Sequence, residues 1–254
     1  GPVVVALHKG RGGNIFGLQG AASADSKKST NADFTKNERI FLLSEGPLVI
    51  EGQADKEARF TELVTIFQAV AVVNPSPQPT SEKLVCEQLS LFYESESKSF
   101  TKAEATSPSG VGVKAFARAY QIRGDSMLWS EQQEQASMIG NVEVEGPFGV
   151  ITSDLAKLYP HKNLWELSDN IVARLSGKAL RAKSSGAADP SAIEERGQFD
   201  WVLKAHHIEL IMRDSKAKTD SGAPLQKVES FKATAKEGES IYVREDRPNG
   251  AVLQ

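Results

Sequence analysis

Two adjacent histidines, His206 and His207, are the first candidates for a chemical role. Neighbouring residues on a strand point to opposite faces, so the two rings cannot easily hold one metal ion. No cysteine or carboxylate lies at a spacing that completes a set of metal ligands. We therefore expect no metal site and no other cofactor.

Three acidic residues, Glu87, Asp125 and Asp154, recur at the same place in a repeated phrase. They could be catalytic acids. The alternative is that they are solvent-facing corner residues that accept hydrogen bonds from backbone N–H groups, as acidic side chains do in turns, and we favour it. No glycine-rich phosphate loop, nucleophile elbow or Ser/His/Asp order is evident. We expect no enzymatic activity.

One basic cluster stands out, formed by Arg174, Lys178, Arg181 and Lys183. It could contact anionic lipid headgroups or phosphates. A solvated surface loop is the alternative, and the composition of 178–197 favours it, since this stretch is basic, then small, then acidic.

The repeated phrase defines the elements that must position these residues. One copy spans 122–129 and a second spans 151–158, so that the two begin 29 residues apart. Related copies lie at 84–91 and 203–210. A fixed period of this length is typical of a stacked architecture, in which no unit buries its own apolar face alone.

Within the phrase, positions 1, 6 and 8 are apolar in three of the four copies, and position 3 is small in all of them. This pattern does not fit one strand of period two. It fits two short strand halves joined by a β-bulge between positions 4 and 5, where the chain bends. A helix requires i, i+3, i+4, i+7 spacing and matches poorly. We expect bent strands, with Cys86 at position 3 as a core residue.

The composition is that of an ordinary globular protein. The chain has 254 residues, 40% hydrophobic and 25% charged, with a net charge of −3 and one cysteine. The charge does not indicate a nucleic-acid partner, and no apolar run approaches the roughly 20 residues that span a bilayer. Some 12 to 16 short strand signals and no strong helix predict an all-β sandwich, barrel or solenoid.

The residues 151–159, preceded by 140–144, resemble the repeat of the OstA-like lipopolysaccharide-transport proteins. The resemblance is good over 113–175, fair over 84–93 and 203–212, and weak before 80. It implies a β-jellyroll whose two sheets fold like a taco around an apolar groove. The long insertions 176–198 and 75–79 depart from the family pattern and indicate a divergent member.

From this resemblance we expect a non-enzymatic carrier that holds the acyl chains of lipopolysaccharide or a related glycolipid and passes them across the periplasm toward the outer membrane. The implied location is periplasmic, either free or anchored to the inner membrane by a segment outside the printed sequence. Gly1-Pro2, with no initiator Met, are typical of the remnant of a cleaved tag. The alternative is a sandwich or solenoid scaffold, or an adhesion module, with a filled core and no lipid.

Three regions follow from this interpretation. Residues 1–32 are expected to form a flexible arm or linker, 33–245 the jellyroll, with two sub-regions at 33–106 and 111–245, and 246–254 a loose tail. The strands at 39–43 and 240–244 are expected to be the edges. Such edges would pair with another copy or with another transport component.

The large apolar residues of the phrases are the expected lipid contacts, and the basic cluster is the expected headgroup contact. The eleven predicted groove residues are Leu84, Leu89, Leu91, Ile122, Met127, Trp129, Ile151, Leu158, Leu203, Ile208 and Leu210. The alternation predicts that Ile151 faces the interior and that Thr152 does not. Interdigitation of the same residues as a filled core remains the alternative.

Overall fold

The structure, a computed structural model, describes residues 3–7, 38–51, 56–70, 83–94, 99–117, 120–176, 200–218 and 224–246. These residues form one antiparallel sheet of 15 strands. The strands are β1 Val3–Leu7, β2 Glu38–Ser44, β3 Leu48–Glu51, β4 Lys56–Val70, β5 Lys83–Glu94, β6 Ser99–Thr106, β7 Val113–Ala117, β8 Tyr120–Gly124, β9 Ser126–Ser130, β10 Gln135–Gly146, β11 Gly149–Tyr159, β12 Leu164–Ser176, β13 Asp200–Lys218, β14 Pro224–Thr234 and β15 Tyr242–Asp246.

Helical structure in the described ranges is limited to one 3₁₀ turn, Pro160–Lys162. No helical segment in these ranges is long and apolar enough to cross a membrane. The prediction of an all-β chain with 12 to 16 strands is confirmed over these ranges.

The long strands are bent in the middle, as the repeated phrase predicts. In β11 the register against β12 shifts between Thr152 and Leu155, and the register of β10 against β11 shifts between Ile139 and Val142. The pairing of β4 with β5 shifts at the corresponding place. One strand contributes an additional residue at each shift, which is the bulge expected from the sequence.

The sheet divides into two leaves at these bends. β4, β5, β10 and β13 each have a different partner on the two sides of the bend, whereas β11 and β12 keep the same partners. Leaf 1 runs β3, β4, β5, β6, β9, β10, β11, β12, β13, β14. Leaf 2 runs β1, β2, β4, β5, β7, β8, β10, β11, β12, β13, β15. We call the line of bends the crease, and the strand ends farthest from it the far margin.

The two leaves face each other across one hydrophobic core. Buried residues of leaf 1, such as Leu89 and Leu210, belong to the same cluster as Leu84 and Ile151 of leaf 2. Strand pairing also joins the regions 33–106 and 111–245, because β5 pairs with β7 and β6 with β9. The strands described in both regions therefore lie in one sheet around one interior.

Three boundaries differ from the sequence interpretation. Val3–Leu7, placed in the N-terminal arm, forms β1, since this apolar and largely β-branched run pairs with β2. The strand at 39–43 is consequently not an edge, because β1 covers it in leaf 2. Asp246, placed in the tail, ends β15. The 75–79 loop, residues 177–198 of the predicted insertion 176–198, and residues 8–32 lie outside the described residues.

Candidate functional site: the interior between the leaves

All eleven predicted groove residues lie in or against the core between the leaves. Nine of them are buried members of the core cluster, and Leu158 and Leu203 are half-buried and pack against it. Ile151 is fully buried, whereas its neighbour Thr152 is half-buried outside the cluster and donates a hydrogen bond from Oγ1 to Val172 O, at 3.3 Å. The interior placement predicted for these residues agrees with the structure.

Close packing at the crease explains the small residue at position 3 of the first copy of the phrase, Gly124. A Cβ added at Gly124 would lie 2.5 Å from Met138 Cγ and 3.2 Å from Gly140 O. Ser153 and Cys86 hold the same inward place in their copies and are buried. Since both leaves converge at the crease, a larger side chain there would force them apart.

The interior is closed at the middle of the far margin by three aromatic rings. Tyr120 of leaf 2 and Trp165 of leaf 1 meet edge to face with centroids 5.2 Å apart, and Phe148, in the turn between β10 and β11, lies 5.6 Å from Tyr120. All three are buried, and burial raises the pKa of Tyr120 to about 12. These rings therefore connect the leaves on the side opposite the crease.

Toward the C-terminal end, the interior is less completely covered. The inward residues of β14, which are Val228, Phe231 and Ala233, are half-buried against the core, as is Leu203. Val243 of β15, directly opposite Leu203 in the ladder, is 53% exposed. The apolar inner walls thus reach solvent at this end.

The predicted corner acids lie at the crease, where Asp125 and Asp154 are exposed and Glu87 is half-buried. The two aspartates have partners that were not predicted from the sequence. Asn141 Nδ2 donates to Asp125 Oδ2 at 2.9 Å, and Asn170 Nδ2 donates to Asp154 Oδ2 at 2.5 Å. Both asparagines have a left-handed backbone, with φ of 45° and 50°, which asparagine tolerates better than most residues. The expectation of backbone N–H donors is therefore corrected for these two acids.

Glu87 behaves as predicted for a corner residue. Its Oε2 accepts the backbone N–H of Ser109 at 2.8 Å, and its Oε1 accepts the Ser109 hydroxyl. These hydrogen bonds lower the pKa of Glu87 below its ordinary value of 4.5. A lowered folded-state pKa contributes stability above the unfolded value, and this contribution is lost as pH falls through the folded value.

We expect Asn141→Ala to destabilise the fold by about 1–2 kcal/mol. The substitution removes the hydrogen bond to Asp125, and it places alanine, which disfavours a left-handed backbone, at a φ of 45°. Asn141→Gly should be milder, since glycine relieves the backbone strain and loses only the hydrogen bond. Urea unfolding of both variants measures the difference. Equal stability of the alanine variant and the parent would show that the crease does not depend on this residue.

The remaining candidates for chemistry lie apart from one another. His206 Nδ1 lies 3.5 Å from Asp169 Oδ1, whereas His207 Nε2 lies 3.6 Å from Glu209 Oε1. Among the described residues, no three side chains of metal-binding type are grouped. Burial raises the pKa of the Cys86 thiol to about 12, which keeps it protonated and unreactive near neutral pH.

Of the predicted headgroup contacts, the structure places only Arg174. It is exposed on the outer face of β12, on the opposite side of leaf 2 from the core. Lys178, Arg181 and Lys183 lie outside the described residues. The predicted cluster is therefore described at one position only.

No family model matches the chain, and a search of curated proteins finds no match either. The resemblance to the OstA-like proteins rests on the repeated phrase and on residues 140–144 and 151–159.

Proposed function

We propose that the chain is an OstA-like β-jellyroll of the taco type that carries an amphipathic lipid, lipopolysaccharide or a related glycolipid, without enzymatic activity. It would bind the acyl chains between the leaves and pass the lipid across the periplasm toward the outer membrane. The observation that carries the proposal is the apolar interior between two creased leaves, in which all eleven predicted groove residues take part.

Physical chemistry supports acyl chains as the ligand of such an interior. A methylene group moved from water into an apolar interior contributes about 0.8 kcal/mol. The inward walls combine large residues such as Leu89 and Leu210 with small ones such as Ala105, Ala136 and Ala173. Small side chains leave room for a slender chain when the leaves separate by a few ångströms.

The second candidate is a scaffold with a permanently filled core, and one observation favours it. Leu84, Leu89, Ile151 and Leu210 expose no surface to solvent, and the aromatic rings join the leaves at the far margin. In the carrier, an acyl chain therefore enters from the C-terminal end, where Phe231 is half-buried, or separates the leaves. In the scaffold, it does not enter.

Photo-crosslinking at adjacent inward and outward positions separates the two candidates. Phe231 faces the interior at its C-terminal end and Lys232 is exposed on the outer face of the same strand. Benzoylphenylalanine at Phe231 is a conservative change, and in the carrier it should label the acyl chains of lipopolysaccharide, whereas the same residue at Lys232 should not. Ile151 and Thr152 provide a second pair deeper in the sheet.

Equal labelling at Phe231 and Lys232, or labelling at neither, would contradict the carrier. Native mass spectrometry of the purified chain gives an independent measurement, because a carrier should retain a bound lipid that organic solvent extracts. A scaffold should be detected at the mass of the polypeptide alone.

We further propose that the chain associates through strand edges, with itself or with another transport component. β15 pairs only with β13 among the described strands, so its other edge presents N–H and C=O groups for pairing. At the other end β1 takes the place of the strand predicted as an edge, and β3 is terminal in leaf 1.

We expect Tyr242→Pro to weaken this association by at least tenfold, because proline removes a ladder donor and blocks strand addition. Concentration-dependent sedimentation measures the effect. Ser240→Pro is the matched control, since Ser240 is exposed in the loop just before β15. Association of the Tyr242 variant at the strength of the parent would exclude β15 as the docking edge.

A further inference from the structure

The terminal strands at the two ends of the sheet differ in the directions in which they run. At the C-terminal end, β14 of leaf 1 runs from Pro224 at the far margin to Thr234 at the crease. β15 of leaf 2 runs the opposite way, from Tyr242 near the crease to Asp246 at the far margin. At the N-terminal end, β3 of leaf 1 and β1 of leaf 2 both run away from the crease.

These directions decide how the ends of two copies pair when their creases lie on the same side. A twofold axis at the C-terminal end sets β14 of each copy against β15 of the other, and both junctions are antiparallel. Head-to-tail stacking makes one antiparallel junction, β14 with β3, and one parallel junction, β15 with β1. Joining two N-terminal ends makes both junctions parallel. Antiparallel pairs are more stable per residue and more common, so the directions favour joining the C-terminal ends.

The C-terminal end also leaves the interior incompletely covered. Among the described strands, β14 and β15 each pair only with β13, so each has a second edge for pairing. Val243 faces the interior opposite Leu203 and is 53% exposed, and Phe231 on the inner face of β14 is half-buried. Neighbouring strands on these edges would cover both side chains.

A second copy supplies neighbours of matching chemistry. The twofold axis continues leaf 1 of one copy into leaf 2 of the other, with inner face beside inner face. Val243 then pairs with Phe231 of the second copy, and aromatic residues opposite β-branched ones are favourable cross-strand pairs. The same register sets Tyr242 opposite Lys232 of the second copy, where a cation beside an aromatic ring is also favourable.

We propose that two copies join by their C-terminal ends in a twofold-symmetric dimer, which continues both leaves and closes the exposed end of the interior. The inference rests on the strand-edge association proposed above and names a second copy of the chain as its partner. Each junction uses one β14 and one β15, so the dimer uses all its C-terminal edges and is closed. In the carrier, the two interiors become one apolar space through which acyl chains pass between copies.

Disulfide formation in the full chain tests this arrangement. A mixture of Phe231→Cys chains and Val243→Cys chains should give covalent dimers on mild oxidation, in up to half of all chains by symmetry. Either variant alone should not, because facing sheets lie about 10 Å apart and a disulfide needs Cα atoms within about 7 Å. The parent should not react, since Cys86 is buried. Cross-linking of Phe231→Cys with Ile50→Cys of β3 instead would indicate head-to-tail stacking and overturn the proposal.

Sedimentation at rising concentration measures the size of the assembly, and the parent should reach the mass of two chains and no more. Val243→Asp should weaken the dimer by at least about tenfold, because it buries a charge in the joined interior. Ile50→Asp is the matched control, since Ile50 lies on the inner face of β3 at the other end and is 61% exposed. Monomers at every concentration, growth beyond a dimer, or equal weakening by both variants would each overturn the proposal.

These results are separate from the carrier test, because the dimer needs no lipid. If the interior is a filled core, acyl labelling at Phe231 is absent, yet the disulfide between positions 231 and 243 still forms. A chain that labels with acyl chains at Phe231 but stays monomeric is a carrier without this dimer.

Discussion

Gly149→Ala should destabilise the fold by roughly 3–5 kcal/mol, among the largest effects of any single methyl group in this protein. Gly149 begins β11 with φ of 124°, a backbone conformation that other residues rarely adopt. A Cβ built there lies 2.0 Å from Arg174 O and 3.1 Å from its carbonyl carbon. These are backbone atoms of the neighbouring strand, so relief requires β11 and β12 to separate where leaf 2 reaches the far margin.

Two other glycines provide matched controls for backbone conformation. Gly110 and Gly238 have φ of 82° and 83°, and a Cβ at either one meets no atom within 4 Å. Gly110→Ala and Gly238→Ala should each lose only about 1 kcal/mol, from strain in the backbone. Urea unfolding of the three variants separates strain from collision. A loss at Gly149 no larger than at Gly110 would show that the two strands are not so closely apposed.

Trp165→Ala should lower the free energy of unfolding by roughly 3–5 kcal/mol, the range for truncation of a buried aromatic residue. Trp165 lies in leaf 1 and its ring meets Tyr120 of leaf 2 at 5.2 Å between centroids. Truncation therefore removes packing and also a contact between the leaves at the far margin. Tyr242→Ala, at a half-exposed ring on the outer face, should change stability by less than about 0.5 kcal/mol.

A double-mutant cycle isolates the contact between the leaves. Tyr120→Leu, Trp165→Leu and the double variant should give a coupling of roughly 0.5–1.5 kcal/mol, as for other edge-to-face pairs. Coupling near zero would mean that the rings do not meet in solution, and that the leaves are already separate at this margin. That result would favour lateral entry of an acyl chain.

The bent strands could be predicted from sequence because one local pattern specifies them. Residues at positions 1, 3, 6 and 8 require a change of phase, and the small residue at position 3 permits the bend, as Gly124 shows with Met138 close by. The interior placement of Ile122, Ile151 and Leu210 follows from the same pattern. Local periodicity decides which face a side chain takes, so these predictions needed no knowledge of strand order.

The order of the strands could not be predicted from the sequence, and the features that depend on strand order were therefore missed. Asn141 and Asn170 follow Asp125 and Asp154 by 16 residues in each case, but only register shows that they meet. Strand pairing also brings Arg174 near Arg244, although the two are far apart in the sequence. No shared sequence pattern indicates that the rings of Tyr120, Phe148 and Trp165 meet, because these residues lie in three separate elements.

The pairing of each strand with strands close to it in sequence determines where the sheet opens first. In most of the sheet each strand pairs with the strands close to it in sequence, and the partners of β10, β11 and β12 lie on both sides in both leaves. Such an array loses its terminal units first, because an end strand is held from one side only. Amide hydrogen exchange should therefore be slowest in β10 to β12 and become progressively faster toward β3 and β15. At the C-terminal end, where Val243 is 53% exposed, this opening would expose the apolar inner walls while the middle of the sheet remains folded.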